Sequence, residues 1–255
     1  MKLISKNKFL FEEIVKRNFI SKYKNSVLGV LWSVLKPLLM MILITIIFST
    51  LFGSSIENYP VYFLSGKCIY DFFSYATSLS LNTIYGNQNI LKRTPAPKET
   101  FVLGGIASET LNFIITLIIL VFVMIATHAP FHFETILFSI IPLISVTMII
   151  TGIGLFLSIF SVYYRDIEHL WGVITLMGMY ASAIFYPMEI IPEPYYHIMI
   201  LNPLYWAIDQ FRCLAIYGTI PNILNIINLI LISTIILIFG IIIFEKFEKK
   251  VTMKF

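Results

Sequence analysis

The sequence predicts an all-α integral membrane protein. It has six transmembrane helices, an N-terminal amphipathic interface helix, and short re-entrant outer gate helices between spans five and six. Three observations predict this. Of the 255 residues, 58% are hydrophobic and 13% charged, whereas a soluble domain carries about 25% charge; mean hydropathy is +0.87. Apolar stretches of bilayer length recur along the chain, separated by short polar or proline-broken connections. Finally, all 18 Lys and Arg except Lys67 and Arg212 fall in segments that a six-span count places on one side. The positive-inside rule makes that side cytoplasmic and puts both termini there.

Residues 1–36 read as a cytoplasmic interface region. At 100° per residue, Leu10, Phe11, Ile14, Val15 and Phe19 share one half of a helix, while Phe9 and Ile20 fall on the other. This pattern suits a helix lying on the membrane surface. Trp32 and Lys36 mark the border, the ring at the interface and the ammonium reaching the headgroups. The first apolar run begins only after this Lys-rich segment, and no small-residue cleavage site follows, so no cleavable signal peptide is expected.

Spans one to five occupy residues 37–186. The first covers 37–52 in an uncharged run long enough for the roughly 30 Å of a hydrocarbon core. A polar turn at 53–58 and Pro60 lead into the second, 61–85. Residues 86–100 leave the membrane, with Pro95 and Pro97 interrupting any helix and Lys92, Arg93 and Lys98 marking a basic side. The third span is 101–127. The fourth, 135–162, is uncharged, with Pro142, Gly152 and Gly154 as tolerable bend points. A short polar loop with Arg165 and Asp166 precedes the fifth, 171–186. Residues 187–221 are too polar and proline-rich to span, yet too apolar and aromatic for a loose loop, and read as a pair of short helices dipping back into the outer half of the membrane, which the resemblance described below makes the outer gate helices. Such irregular backbone is tolerated at membrane depth only inside protein or along a cavity. Span six is 222–244, and residues 245–255 form a basic cytoplasmic tail.

Several functions are disfavoured. The basic residues are dispersed over short segments, which excludes a nucleic-acid surface and fits topology signals. No phosphate-cradling Gly-x4-Gly-Lys-Ser/Thr run occurs, so the chain is not expected to bind or hydrolyse ATP by itself. His128 and His132 are four apart but flank Pro130, His169 and His197 are isolated, and no catalytic constellation converges; neither a catalytic residue nor a metal or other cofactor is expected. Cys68 and Cys213 read as small apolar side chains. A membrane glycosyl- or acyltransferase is the alternative from another class.

The charges at membrane depth carry the remaining chemistry, because a lone charge there costs roughly 2.5–3.5 kcal/mol and faces protein or water. Lys67 and Asp71, four apart, can neutralise each other or form a hydrophilic patch on a translocation path. Glu109 has no partner nearby in sequence; it bonds within the bundle or stays protonated. Asp209 and Arg212 can pair at three residues' spacing. Aromatic residues crowd 59–75 and 180–217, as an interfacial belt or as stacking surfaces for sugar rings.

The motifs in order carry a resemblance. YKNSVLGVLWSVLKP at 23–37, FLSGKCIYDFFS at 63–74, NILKRTPAPKE at 89–99, YYRDIEHLW at 163–171 and FYPMEIIPEPYYHIMILNPLYWAIDQFR at 185–212 resemble the permease subunit of ABC-2 type polysaccharide exporters, the O-antigen, capsule and teichoic-acid export family. The resemblance implies a transport subunit of the cell membrane that works as a homodimer with two separate ATP-binding subunits, moving a lipid-linked polysaccharide outward. A drug or lipid efflux permease is the alternative within the same class. It further implies that Glu13, Arg17, Lys92, Arg93, Lys98 and Glu99 couple to the ATPase, with Arg165 and Asp166 in a second cytoplasmic loop. Tyr195, Tyr196, Tyr205, Trp206, Lys67, Asp71 and Glu109 become channel or gate candidates. One departure is Ala181-Ser182-Ala183, where many members carry Ser/Thr-Pro before the fifth-span FYP.

Overall fold

A computed structural model describes residues 8–24, 26–52, 56–93 and 96–252, and every regular element among them is helical. Residues 53–55 of the expected 53–58 turn, Pro95, the first seven residues and the last three lie outside the described residues. In order the helices are α1 (Lys8–Tyr23), α2 (Trp32–Phe52), α3 (Tyr59–Gly86), α4 (Gln88–Arg93), α5 (Lys98–Ala126), α6 (Phe133–Ile136), α7 (Ile140–Tyr163), α8 (Ile167–Tyr180), α9 (Glu193–Ile200), α10 (Pro203–Ala215) and α11 (Ile223–Thr252).

The bundle is built around α3. Its first turn is set by the Asn58 side chain, which accepts the Val61 N–H at 3.4 Å, and by Pro60, whose missing donor costs nothing there. Val61, Phe63, Leu64, Ile69, Ala76 and Ile84 are completely buried against α5 and α7. On its other side α7 packs on α11. Glycines permit both crossings of α7. A Cβ at Gly154 would stand 2.8 Å from the Ser80 hydroxyl of α3, and one at Gly152 would stand 2.8 Å from the Leu237 Cα of α11. Small residues let helix backbones approach this closely, the usual means of packing helices where no water drives them together.

Helix α1 lies on α5 with the half-face read from the sequence. Ile14 is buried against Gly104, where a Cβ would come within 2.7 Å of its Cγ2. Leu10, Phe11, Val15 and Phe19 are half-buried beside it, and Phe9 and Ile20 point outward. The connections expected on one side do gather at one end of the bundle. Arg17 of α1 donates to Asn87 after α3 at 2.9 Å, Arg165 donates to Tyr85 of α3 at 2.8 Å, and Lys98 at the start of α5 pairs with Glu248 near the end of α11 at 3.7 Å. The opposite end joins Asn58 to Thr127 and Thr135 to the Leu214 carbonyl.

By length and composition, four helices among the described residues can cross a membrane: Gly29–Thr50, Lys98–Ala126, Phe133–Tyr163 and Ile223–Glu248. Helix α3 has the length at 28 residues but carries Lys67, Asp71 and a run of hydroxyl side chains, which its burial inside protein accommodates.

The expected fifth span needs correction. Helix α8 stops at Tyr180 after 14 residues, about 21 Å and short of a roughly 30 Å core. Residues 181–186 continue as irregular backbone, with Ala183 at φ +48° in the left-handed region. Side chains from other elements replace the missing helical bonds. Tyr59 donates to the Phe185 carbonyl at 2.8 Å, Tyr62 to those of Tyr186 at 2.7 Å and Ala183 at 3.2 Å, and Asn202 to that of Ala181 at 3.2 Å. Non-helical backbone is thus satisfied by protein, the condition for keeping it away from water.

Candidate functional site

Arg212 is the most buried cation among the described residues, at 4% exposed. Its guanidinium donates to the carbonyls of Ala183 at 2.9 Å and Tyr62 at 3.0 Å, makes longer contacts with the Ile184 carbonyl and Ser65 hydroxyl at 3.4 Å each, and stacks 3.5 Å from the Tyr62 ring centroid. Gly66 leaves room for it, since a Cβ there would lie 2.6 Å from Nη2. Asp209 is not its partner: among the described residues no ion pair joins the two, and the fork points from α10 toward α3 and the 181–186 segment instead. The planar five-donor fork suits several carbonyls at once, which a single carboxylate three residues away would not satisfy.

The segment 187–221 contains a 3-10 turn at Met188–Ile190 and two short α-helices. Prolines open both: Pro194 lies in the first turn of α9, and Pro203 begins α10 where Asn202 caps it by accepting the Leu204 N–H at 3.0 Å. Tyr195 and Tyr196 are exposed. Tyr205 and Trp206 are half-buried, and the Trp206 indole donates to the Ile200 carbonyl at 2.7 Å, holding α9 against α10.

At the end where the basic connections meet, Lys92 and Arg93 stand exposed at the tip of α4, with Glu13 exposed on α1. Lys98 is buried in its pair with Glu248, and Glu99 is half-buried. Arg17 is tied to Asn87, Arg165 lies over the Tyr85 ring, and Asp166 is exposed just before α8.

A cavity of about 390 Å³ lies among α1, α2, α3 and α5. It collects the Lys67–Asp71 pair, Glu109 and Lys36, which the sequence had singled out, and adds Lys22, Tyr23 and Asn112, which it had not; Tyr75 closes the aromatic run 59–75. Glu109 receives Lys22, whose ammonium lies 3.0 Å and 2.8 Å from its two oxygens. This resolves the open question of its partner as an ion pair across 87 residues of sequence. Asn112 also donates to Glu109 at 3.2 Å and accepts the Tyr23 hydroxyl at 2.7 Å. Burial pushes the Tyr23 phenol up from its ordinary value, so it stays a neutral donor. Lys67 and Asp71 pair on α3 as their spacing predicts. Lys36 donates to the Tyr75 hydroxyl at 2.8 Å. The Tyr75 ring carries both the Lys22 ammonium, 4.9 Å from its centroid, and the Lys36 ammonium at 5.2 Å. Trp32, Pro37, Met40, Phe72 and Phe113 supply an apolar wall.

The arrangement offers charge and apolar contact side by side. Among the described residues no group of three His, Cys, Asp or Glu could hold a metal.

Comparison with known proteins covers most of the chain. Residues 10–216 match the family model of the ABC-2 type transporter. The chain is 29% identical over 252 residues, 94% of its length, to the O-antigen export system permease protein RfbA of Klebsiella pneumoniae, covering 93% of that protein. It is 20% identical over 244 residues to the polysialic acid transport protein KpsM of Escherichia coli, covering 95% of each. It is 18% identical over 240 residues to the capsule polysaccharide export inner-membrane protein CtrC of Neisseria meningitidis, covering 93% of this chain and 91% of the relative.

Proposed function

The chain belongs to the ABC-2 type transporter family, and from that premise we propose that it is the membrane subunit of an ATP-driven exporter carrying a lipid-linked polysaccharide out of the cytoplasm. The observation that carries this reading is the end-to-end similarity to permeases named for O-antigen, polysialic acid and capsule export.

In this reading the protein sits in the inner or plasma membrane with both termini cytoplasmic. Six passages form from α2, α3, α5, α7, the short α8 with its 181–186 extension, and α11. Two copies pair, and each engages one ATP-binding subunit, which supplies the ATP site that this chain lacks. The end bearing α1, α4 and Arg165 is cytoplasmic. Exposed Lys92, Arg93 and Glu13 receive the stroke, and α1 passes it on through Ile14 against Gly104 and through Lys22 and Glu109. These contacts reach α5 directly, so a push on α1 arrives in the bundle core without a flexible link. At the other end α9 and α10 form the outer gate, braced to α3 by Arg212 and offering Tyr195 and Tyr196 to the emerging polymer.

Depletion of the protein tests the reading. Lipid-linked polymer should build up in the cytoplasm while surface polymer, followed by antibody or lectin staining, disappears. Surface polymer at the normal level after depletion would overturn it.

A further inference from the structure

The two ends of the bundle differ in charge by more than topology requires. At the end opposite the basic connections lie the segments 53–60, 127–135 and 187–222. They carry Glu57, Glu134, Glu189, Glu193 and Asp209 against a single cation, Arg212. The four glutamates are exposed, and among the described residues none of the five acids is in an ion pair. Arg212 is buried with its donors occupied by carbonyls, and from three residues away on α10 it offsets the charge of Asp209. His128, His132 and His197 add little, histidine being largely uncharged at neutral pH. The four glutamates are thus left facing outward, and none of the described residues at this end exposes an ammonium or guanidinium. The positive-inside rule accounts for the missing cations, but acids contribute little to orientation. Topology therefore leaves the glutamates unexplained.

The same end bears the aromatic side chains that the exporter reading places at the exit. Tyr195, Tyr196 and Tyr217 are exposed and Tyr205 is half-buried. Among the described residues none of these four hydroxyls has a hydrogen-bond partner. Glu193 shares α9 with Tyr195 and Tyr196, and Glu189 lies in the 3-10 turn just before it. A phenol offers its ring to the C–H face of a sugar and its hydroxyl to sugar hydroxyls. A carboxylate also accepts bonds from a neutral sugar, but it repels an acidic one brought within a Debye length, about 8 Å at physiological salt. The mouth lacks the exposed Arg or Lys that would receive an acidic sugar.

We propose that the outer mouth is a charge filter, which passes a polymer of uncharged sugars and resists one that carries a negative charge in each repeat. The proposal rests on the exporter reading, which makes this end the exit and pairs two copies around it, doubling the charge. The filter acts on transit. A polymer leaves repeat by repeat, so an acidic chain meets the same repulsion at every step, and a neutral chain meets none.

The test uses the full-length protein with its ATP-binding subunit, in cells that make either of two lipid-linked polymers. One is a neutral hexose repeat, and the other is the same repeat bearing one hexuronate. Polymer released from the cell surface is quantified by sugar composition, per folded molecule of permease. The parent should export the hexuronate polymer about fivefold less than the neutral one, the size of effect that like-charge juxtaposition produces. Glu189→Gln combined with Glu193→Gln should raise the acidic-to-neutral ratio about threefold or more, since it removes half of the exposed charge. Glu189→Asp combined with Glu193→Asp keeps the charge and should leave the ratio at the parent value, as should Glu245→Gln, exposed at the other end on α11. A Gln pair that leaves the ratio unchanged, or an Asp pair that raises it as far as the Gln pair does, would overturn the proposal. Equal export of both polymers by the parent would remove the filter and leave the exporter reading standing. Retention of both polymers would overturn the exporter reading and the filter with it.

Discussion

Replacing Arg212 by Met removes one of the contacts that hold the irregular 181–186 segment to α3, the others being the Tyr59 and Tyr62 hydroxyls. Two short charge-assisted bonds disappear, to Ala183 at 2.9 Å and Tyr62 at 3.0 Å, together with the stacking on Tyr62. Each such bond is worth about 1.5–3 kcal/mol and a desolvated cation–π contact about 2 kcal/mol. Against this stands the relief of no longer burying a charge, several kcal/mol. The Ala183 carbonyl also keeps the Tyr62 hydroxyl at 3.2 Å. The balance is a loss of about 2–4 kcal/mol, which for a chain of this size lowers the melting temperature by roughly 5–15 °C. Arg212→Lys should lose nearly as much, because an ammonium cannot span carbonyls from two elements. Gly66→Ala should reproduce the effect from the α3 side, since its Cβ occupies the place of Nη2. Asp209→Asn should be close to neutral. Thermal unfolding of the detergent-purified protein, followed by fluorescence-detected size exclusion, measures all four. If Arg212→Met melts within 1–2 °C of the parent, or if Asp209→Asn falls as far as Arg212→Met, the carbonyl-bracing argument is wrong and the Asp209–Arg212 pairing returns.

The α7–α11 crossing should tolerate no side chain. Gly152→Ala puts a Cβ against the Ile236 and Leu237 backbone, which cannot swing aside, and should cost about 1–3 kcal/mol, read as a lower yield of monodisperse protein; Gly172→Ala, where the space is open, is the matched control. Reversing Lys92 and Arg93 to Glu should reduce co-purification of the ATP-binding subunit severalfold with insertion unchanged, while Lys98→Glu should also destabilise the fold because it breaks the Glu248 pair; equal recovery of the ATPase with the double reversal would assign the two residues to topology alone. Tyr195→Ala and Tyr196→Ala should lower export per folded molecule, whereas Trp206→Ala should first lower stability by about 1–3 kcal/mol through the lost Ile200 bond; normal export from the double tyrosine variant would remove both from the gate.

The sequence by itself determined what depends on short windows of chain. Hydropathy summed over a bilayer's thickness marked the apolar helices, and the 3.6-residue period picked the inward half of α1 before any neighbour was known. Spacing of four paired Lys67 with Asp71. The prolines of 187–221 broke that segment into the short α9 and α10. These are local quantities, and they survive whatever the rest of the fold does.

The tertiary structure decided every question that turned on which helices are neighbours. Nothing near Glu109 in the sequence points to Lys22, which arrives only because α1 lies on α5. Spacing favoured Asp209 for Arg212, but the guanidinium turned to the Tyr62 carbonyl of α3 and to that of Ala183, which is free because α8 ends at Tyr180. That ending was itself hidden, because 171–186 is apolar throughout and hydropathy cannot tell helix from braced irregular backbone. Gly152 and Gly154 read as places to bend and proved to be places of contact, since a glycine's missing side chain matters only once another backbone stands opposite it. A buried charge or orphaned carbonyl takes its partner from whatever packing brings within about 3 Å, and that distance is a property of the assembled bundle alone.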